Sequence, residues 1–236
     1  MNTAFQRVVI KISGEALAGE KKTGFDFDLI SEVCAVLKRA SARGTQIGIV
    51  IGGGNFWRGV KDGAGKVERV NADRMGMLAT CMNCIAVCDV LRQLGAKARV
   101  MTAVDIMGVG ERYDTRRAIE YVEAGEIVLF AGGSGAPFFS TDTAAALRAA
   151  EIHADAILLA KNIDGVYSAD PRKDPGAVKF DRISFDEVLA RHLAVMDTTA
   201  TALAMENNIP AAVFALADPE NILRVLAGEN VGTIVE

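Results

Sequence analysis

Three stretches of this chain share one pattern: VVIKISG at residues 8–14, IVIGGGN at residues 49–55 and VLFAGGSG at residues 128–135. In each, a largely apolar run, β-branched for the most part in the first two, is followed at once by a turn that contains glycine. Such runs are typical of strands buried on both faces of a parallel sheet. Parallel strands bring their carboxyl ends to one edge, where glycine turns can point backbone N–H groups at one ligand. The three turns therefore predict a shared anionic site, suited to a molecule with several phosphates.

Strands and helices alternate through the first two-thirds of the chain. The pattern predicts strands near 5–12, 46–51, 97–101, 126–130 and 156–160, and helices near 28–43, 70–94, 114–123 and 142–151. This alternation indicates an α/β fold in which a mostly parallel central sheet lies between two layers of helices.

The sequence changes character after residue 160, where turn residues and prolines become frequent. Beyond this stretch we expect helices near 184–192, 197–207 and 218–227, and strands at 211–215 and 232–235. The chain is therefore predicted to be one domain with two lobes on a common sheet, an N-terminal lobe of residues 1–160 and a C-terminal lobe of residues 161–236.

Composition excludes several classes of protein. The chain has 236 residues, of which 50% are hydrophobic, and a net charge of −4. Its acidic balance and scattered positive charges disfavour a nucleic-acid surface. We see no apolar run as long as a membrane span and no signal-peptide pattern before the first strand, so the expectation is a cytoplasmic enzyme.

The cysteines are interpreted as core residues. Cys81, Cys84 and Cys88 have spacings that could suit a metal site but that also follow one helix face. The apolar residues around them predict a buried helix: Met75, Leu78, Ala79, Met82, Ile85 and Ala86. Because free cysteine packs as a small hydrophobe, we expect no metal site here.

Charged residues near the glycine turns suggest phosphate chemistry. Lys11 interrupts an apolar strand just before the first turn, which is costly unless it reaches an anion at an open strand end. Arg58 follows the second turn and could be a second cation or a solvated loop residue. Asp142 follows a hydroxyl pair at a predicted helix start, where it could be an N-cap, a functional carboxylate or both. Phosphoryl transfer needs such charges and accurate placement of the substrates.

Two common nucleotide motifs are missing from the sequence. Gly65 and Lys66 lack the earlier glycine and the following hydroxyl residue of a Walker motif. A Gly-x-Gly-x-x-Gly turn after a strand is also absent from the sequence. The phosphates are therefore expected to be held in another way.

Longer motifs resemble the bacterial uridylate kinases of the amino acid kinase family. They are KISGEAL at 11–17, IGGGNFWRG at 51–59, DRMGMLAT at 73–80, GAPFFSTD at 135–142, DGVY at 164–167 and VMD at 195–197. The resemblance runs from about residue 7 to the C-terminus. MGMLAT and PFF distinguish this branch from the acetylglutamate, aspartate and carbamate kinases.

The resemblance implies two substrate sites, for UMP in the N-terminal lobe and for ATP in the C-terminal lobe. The implied ATP-binding residues are Lys11, Ile12, Ser13, Gly14, Gly54, Arg58, Asn162, Tyr167 and Asp170. The implied UMP-binding residues are Gly53, Asp73, Ser134, Gly135, Ala136, Pro137, Phe138, Phe139, Ser140 and Thr141. Lys161 is an alternative to Asn162 as the ATP contact.

The resemblance also implies the catalytic residues. These are Lys11, Arg58, Asp142 and Asp197, with Asp142 orienting Lys11 and Arg58 acting as the second cation. Mg²⁺ would bridge the ATP phosphates, and the assembly would be a homohexamer with helix 70–94 near a subunit contact. Cys88 stands where GTP-activated members carry arginine, so GTP activation is not predicted.

Three functions are therefore compared. The first is phosphoryl transfer from ATP to UMP. The second is a non-catalytic nucleotide-binding or oxyanion-storage protein of the same fold, and the third is a kinase for a small carboxylate such as acetylglutamate. The set of charges at the transfer point favours an enzyme over storage, and MGMLAT with PFF favours the first function over the third.

Overall fold

The structure is a computed structural model that describes residues 4–58, 65–193 and 195–236. Gly59 of the second motif lies outside these residues. The described residues form a nine-stranded sheet in the order β4-β3-β5-β2-β1-β6-β8-β9-β7. The strands are β1 (Arg7–Ile12), β2 (Gln46–Ile51), β3 (Ala98–Thr102), β4 (Glu111–Arg112), β5 (Ile127–Ala131), β6 (Ala156–Lys161), β7 (Arg182–Ile183), β8 (Ala211–Ala215) and β9 (Thr233–Val235).

Two layers of helices cover the sheet, as the alternation predicts. The helices are α1 (Gly14–Leu17), α2 (Phe27–Ala42), α3 (Arg69–Gln93), α4 (Thr115–Glu123), α5 (Thr141–Glu151), α6 (Phe185–Ala190), α7 (Thr198–Glu206) and α8 (Asn221–Leu226). One apolar core contains residues of α2, α3 and α8, and the other contains residues of α4, α5, α6 and α7. Along β1, Ile10 and Ile12 enter the first core and Val9 enters the second, since successive side chains of a strand point to opposite faces.

The sheet is parallel except at one pair of strands, where β9 lies antiparallel to β8. β7 then pairs with β9 in parallel. The α/β fold class is therefore confirmed, and most of the predicted elements lie within two or three residues of their predicted bounds. The predictions omitted α1, β4 and β7, which are too short to show a periodicity.

Helix α3 differs from its prediction in the face that it buries. The buried apolar residues include Cys81, Cys84 and Cys88, while the apolar side chains on another face are 40–51% exposed: Met75, Leu78, Met82 and Ile85. The cysteines are core residues as predicted, but the large apolar residues around them do not share that core. The sequence is apolar on two sides of the helix, so its periodicity did not show which side meets the sheet.

The same two-sided apolar character gives α3 the length and composition of a membrane span, contrary to the sequence-based expectation. The most apolar 18-residue window has a mean hydropathy of 1.4, and 50% of it is buried inside the protein. Packing of α3 against α2, β3 and β5 accounts for that burial. A buried helix in a protein core can be as long and as apolar as a membrane span, so the length and composition of α3 are weak support for a membrane location.

Candidate active site

The carboxyl ends of four adjacent parallel strands meet at one edge of the sheet. β5, β2, β1 and β6 are neighbours in this order. The glycine turns after β1, β2 and β5 therefore lie side by side, as the sequence predicts. The first two turns are in direct contact, since the Gly52 N–H donates to the Ile12 carbonyl at 2.9 Å. A Cβ atom on Gly14 would lie 2.2 Å from the Gly52 oxygen, so this approach requires glycine.

Two buried side chains of α3 hold the second and third glycine turns, those after β2 and β5. The Asn83 amide donates to the Gly52 carbonyl at 2.6 Å and exchanges hydrogen bonds with the Asn55 amide at 2.8 and 3.0 Å. One helical turn earlier, the Thr80 hydroxyl accepts the Gly132 N–H at 2.9 Å. Asn83 and Asn55 are at most 1% exposed. Helix α3 thus fixes both turns through side chains that sequence reasoning did not assign to the site.

A cavity of about 160 Å³ lies between the second and third turns. Its lining includes six of the ten predicted UMP-binding residues: Gly53, Asp73, Ser134, Phe139, Ser140 and Thr141. Trp57, Met77 and Thr80 also line it. The structure therefore brings the second glycine turn, α3 and the 134–141 segment to a common concave surface.

Asp73 connects α3 to the 134–141 segment. Its carboxylate accepts the Phe138 N–H at 2.8 Å and is paired with Arg69 at 2.8 Å. Phe138 has a φ of 72°, in the left-handed region that few non-glycine residues adopt, so the turn depends on such support. Gly135, Ala136 and Pro137 lie in the same turn and complete the predicted segment.

A cluster of charged side chains lies beside this cavity. Lys11 Nζ contacts Asp142 Oδ1 at 2.7 Å, and the two side chains are only 12% and 17% exposed. Lys11 is thus largely buried and not at an open strand end as predicted. Helix α5 is capped by Ser140, which accepts the N–H groups of Asp142 and Thr143 at 2.9 and 3.1 Å. The N-cap interpretation of Asp142 is therefore wrong, since Asp142 lies in the first turn and faces Lys11.

Asp197 ties the starts of two helices together. It caps α7 by accepting the Ala200 N–H at 3.0 Å, and it accepts the hydroxyl groups of Ser140 and Thr143 on α5. Burial opposes ionisation of Asp197, but the hydrogen bonds from Ser140, Ala200 and Thr143 outweigh it and lower its pKa. Asp197 is therefore a partly buried anion that fixes α7 against the amino end of α5.

A second cavity, of about 290 Å³, opens on the α2 face of the edge. It is lined by Glu15, Ala16, Gly19, Leu29, Asn162, Leu216 and Ala217. Asn162 is thus beside the turn that contains Ser13 and Gly14. Gly54 and Arg58 lie near its Glu15, because a Cβ atom on Gly54 would be 3.2 Å from Glu15 Cγ and Arg58 pairs with Glu15 at 2.7 Å.

Two predicted ATP-binding residues make other contacts. Tyr167 donates its hydroxyl to Asp164 at 2.8 Å, and Asp170 accepts the Arg172 N–H at 3.0 Å within an exposed turn. Neither Tyr167 nor Asp170 is among the described residues that line the second cavity. The structure therefore leaves both on the turn-rich segment that follows β6.

The sequence and the structure of this chain are both similar to those of known proteins. The model of the amino acid kinase family matches residues 6–215. This chain belongs to the amino acid kinase family. It is 50% identical to a uridylate kinase of Porphyromonas gingivalis, with 99% of this chain and 98% of that protein covered, and 51% identical to one of Limosilactobacillus reuteri, with 98% and 97% covered.

Solved structures show the same relationship. A UMP kinase of Bacillus anthracis is 36% identical with a TM-score of 0.94 over 98% of this chain and 96% of that one. A UMP kinase of Ureaplasma parvum is 38% identical with a TM-score of 0.92 over 98% of both chains. The resemblance to the bacterial uridylate kinases is therefore confirmed over the full length.

Proposed function

We propose that this protein is a UMP kinase, which transfers the γ-phosphoryl group of ATP to UMP and releases UDP and ADP. The observation that carries the proposal is the largely buried ion pair of Lys11 and Asp142, which lies at the sheet edge where sequence neighbours of Asp142 and of β6 line the two cavities. Ser140 and Thr141 of the first cavity directly precede Asp142, and Asn162 of the second cavity directly follows β6. The full-length relatives called uridylate kinases support the choice of acceptor.

Chemically, the bond between the γ-phosphorus and the oxygen that bridges to the β-phosphate breaks, and a bond from a UMP phosphate oxygen to that phosphorus forms. Negative charge moves to the β-phosphate of ADP. The UMP phosphate is mostly ionised at neutral pH, so the protein need not remove a proton from it. What remains for the protein is placement and positive charge, which the glycine N–H groups and Lys11 would provide.

Within this proposal, the first cavity takes UMP and the second takes the adenine nucleotide. UMP binding is assigned to Gly53, Asp73 and residues 134–141 of the N-terminal lobe, and ATP binding to Lys11–Gly14, Gly54, Arg58, Asn162, Tyr167 and Asp170. Asp142 would orient Lys11 through their ion pair. Asp197 would act on the site by holding α7 against α5.

Magnesium would enter as part of the ATP substrate. The described residues contain no group of three or more His, Cys, Asp or Glu side chains placed to bind a metal ion. Mg²⁺ is commonly held by substrate phosphates with only one or two carboxylates. The ATP phosphates would therefore hold the ion, and no protein ligand is assigned to it.

We further propose a homohexamer located in the cytoplasm. The exposed apolar residues of α3, which include Leu78 at 51% and Met82 at 45%, support a subunit contact on that helix. Light scattering coupled to size-exclusion chromatography should give the mass of six 25.0 kDa chains. A monomer at micromolar concentration would contradict this assembly.

A coupled assay of ADP release tests the reaction itself. Purified protein with MgATP is given UMP, CMP, acetylglutamate or carbamate. We expect UMP to be used far faster than the others, because polar groups that pair with uracil and ribose are left unpaired by a wrong acceptor. Equal rates with UMP and CMP would refute the assignment, and ATP binding without turnover of any acceptor would favour a storage function.

A further inference from the structure

Strand β6 ends at Lys161, and the side chains of Lys161 and of the next residue, Asn162, lie on opposite faces of the sheet. Lys11 pairs in register with Leu159, so Lys11, Leu159 and Lys161 lie on one face of the sheet. That face is covered by α5. Asn162 lines the cavity on the opposite face, beside α2. Lys161 and Asn162 therefore serve different sites, although they are adjacent in sequence.

The ammonium groups of Lys161 and Lys11 lie near different oxygens of the Asp142 carboxylate. Lys161 Nζ is 4.0 Å from Asp142 Oδ2, and Lys11 Nζ is 2.7 Å from Asp142 Oδ1. Lys161 also donates to the Val195 carbonyl. Since an ammonium group has three donors, these contacts leave capacity for a phosphate oxygen.

The position of Lys161 is energetically unfavourable without a further anion. Its side chain is only 20% exposed, and its contact with Asp142 is longer than a hydrogen bond. Burial lowers its pKa, while Asp142 and Asp197 partly oppose that effect and Lys11 adds to it. A largely buried charge with incomplete pairing is typical of functional sites.

Arg58 has a different environment. It pairs with Glu15 at 2.7 Å, and both side chains are 43% exposed. A pair so open to water has its charge screened by solvent. Of the two candidates for a second cation, Lys161 is thus the one inside the largely buried cluster around Asp142.

We propose that Lys161 is the second cation of the transfer point, and that its ammonium group contacts the phosphoryl group as it moves from ATP to UMP. This inference rests on the proposed function. As the bond to the leaving oxygen breaks and the bond to the UMP oxygen forms, Lys161 and Lys11 would balance the negative charge on the phosphoryl oxygens. Lys161 would transfer no proton in this step.

The test is Lys161→Met in the full chain, with kcat and both KM values measured. We expect kcat to fall at least about a hundredfold, because charge stabilisation confined to the transition state acts on kcat. The KM values for UMP and ATP should stay within about threefold. Lys38→Met is the matched control, because Lys38 also donates to a backbone carbonyl, that of Leu94, and is remote from the edge.

Chemical rescue separates charge from structure. Lys161→Cys is treated with 2-bromoethylamine, which converts the new thiol into a lysine analogue, and kcat should recover at least tenfold. The native thiols should resist this reagent, because all four are buried and burial raises their pKa, to about 12 for Cys34. If Lys161→Met does not fold, treated and untreated Lys161→Cys carry the test.

Three outcomes would overturn the role of Lys161: a kcat within threefold of the wild type, a loss confined to KM or thermal stability, or failure of rescue in a folded protein. These outcomes are distinct from failure of the proposed function, in which the unmodified protein would not phosphorylate UMP. If another acceptor is used, the same kcat comparison on that acceptor still tests Lys161.

Discussion

The candidate active site at the carboxyl ends of β5, β2, β1 and β6 has two sides that differ in construction. On the side of β1 and β6, the site consists of charged side chains, with Lys11 and Lys161 near different oxygens of the Asp142 carboxylate. On the side of β2 and β5, the site consists of backbone turns, which Asn83 and Thr80 hold from α3. Charge on the first side would act on the moving phosphoryl group, whereas geometry on the second would place the acceptor. Substitutions on the two sides should therefore differ in the kinetic constant that they change.

Removal of the Lys11 charge should have the largest effect. We expect Lys11→Ala to lower kcat by about a hundredfold to a thousandfold, which corresponds to roughly 2–4 kcal/mol of transition-state stabilisation. The KM for UMP should change little, because the proposed UMP site is on the side of β2 and β5. Steady-state kinetics with varied UMP would measure both constants. Near-normal turnover would show that the charged side does not contribute to the chemistry.

The next effect concerns the carboxylate between the two lysines. Asp142→Asn should lower kcat at least about tenfold, the change expected for a loss of roughly 1.4 kcal/mol, since a neutral amide orients an ammonium group less strongly. The melting temperature should stay within a few degrees, because Ser140 caps α5.

The matched control for this substitution is Asp26→Asn. Asp26 caps α2 by accepting the Leu29 N–H at 3.3 Å, and asparagine caps a helix as well as aspartate does. Its kcat and melting temperature should both be unchanged. If Asp142→Asn were equally silent, Asp142 would have no role in orienting Lys11.

On the backbone side, Asn83→Leu keeps the volume of the side chain but removes its hydrogen bonds to the Gly52 turn. The Gly52 carbonyl and Asn55 Oδ1 would then lose the donor that they share, at a cost of about 1–3 kcal/mol of folding stability. We expect the KM for UMP to rise about tenfold while kcat falls less, because a displaced turn misplaces the acceptor. A fall in kcat with an unchanged KM would contradict the division between the two sides.

The smallest effect is expected one residue away on the same helix. The side chain of Cys84 is fully buried where α3 packs into the apolar core that it shares with α2. Cys84→Ala should cost about 1 kcal/mol in urea unfolding and leave kcat and KM unchanged, because it removes packing only. Comparison with Asn83→Leu then separates a helix that is merely destabilised from one that no longer holds the turn. Stoichiometric zinc or iron bound to the wild type after dialysis would instead indicate a metal role for Cys84.

Several features could be predicted from the sequence because they depend on local pattern. Apolar runs of β-branched residues locate the strands, and glycines after three of them indicate the shared edge. The large apolar residues of α3 were placed on the wrong face, because a helix with two apolar sides gives a periodicity that does not distinguish core from surface. The sequence also left open whether Asp142 caps α5, since Ser140 and Asp142 are both good residues for a helix start.

The sequence by itself thus determined the alternation of strands and helices, the glycine turns and, through its motifs, the family. Only the tertiary structure decided which side chains meet: Lys11 and Lys161 at Asp142, and Asn83 at Gly52. Lys11 is 131 positions from Asp142 in the sequence, Lys161 is 19 positions from it, and Asn83 is 31 positions from Gly52. Local propensity acts over a few residues, whereas strand order and register bring together groups that are distant in sequence.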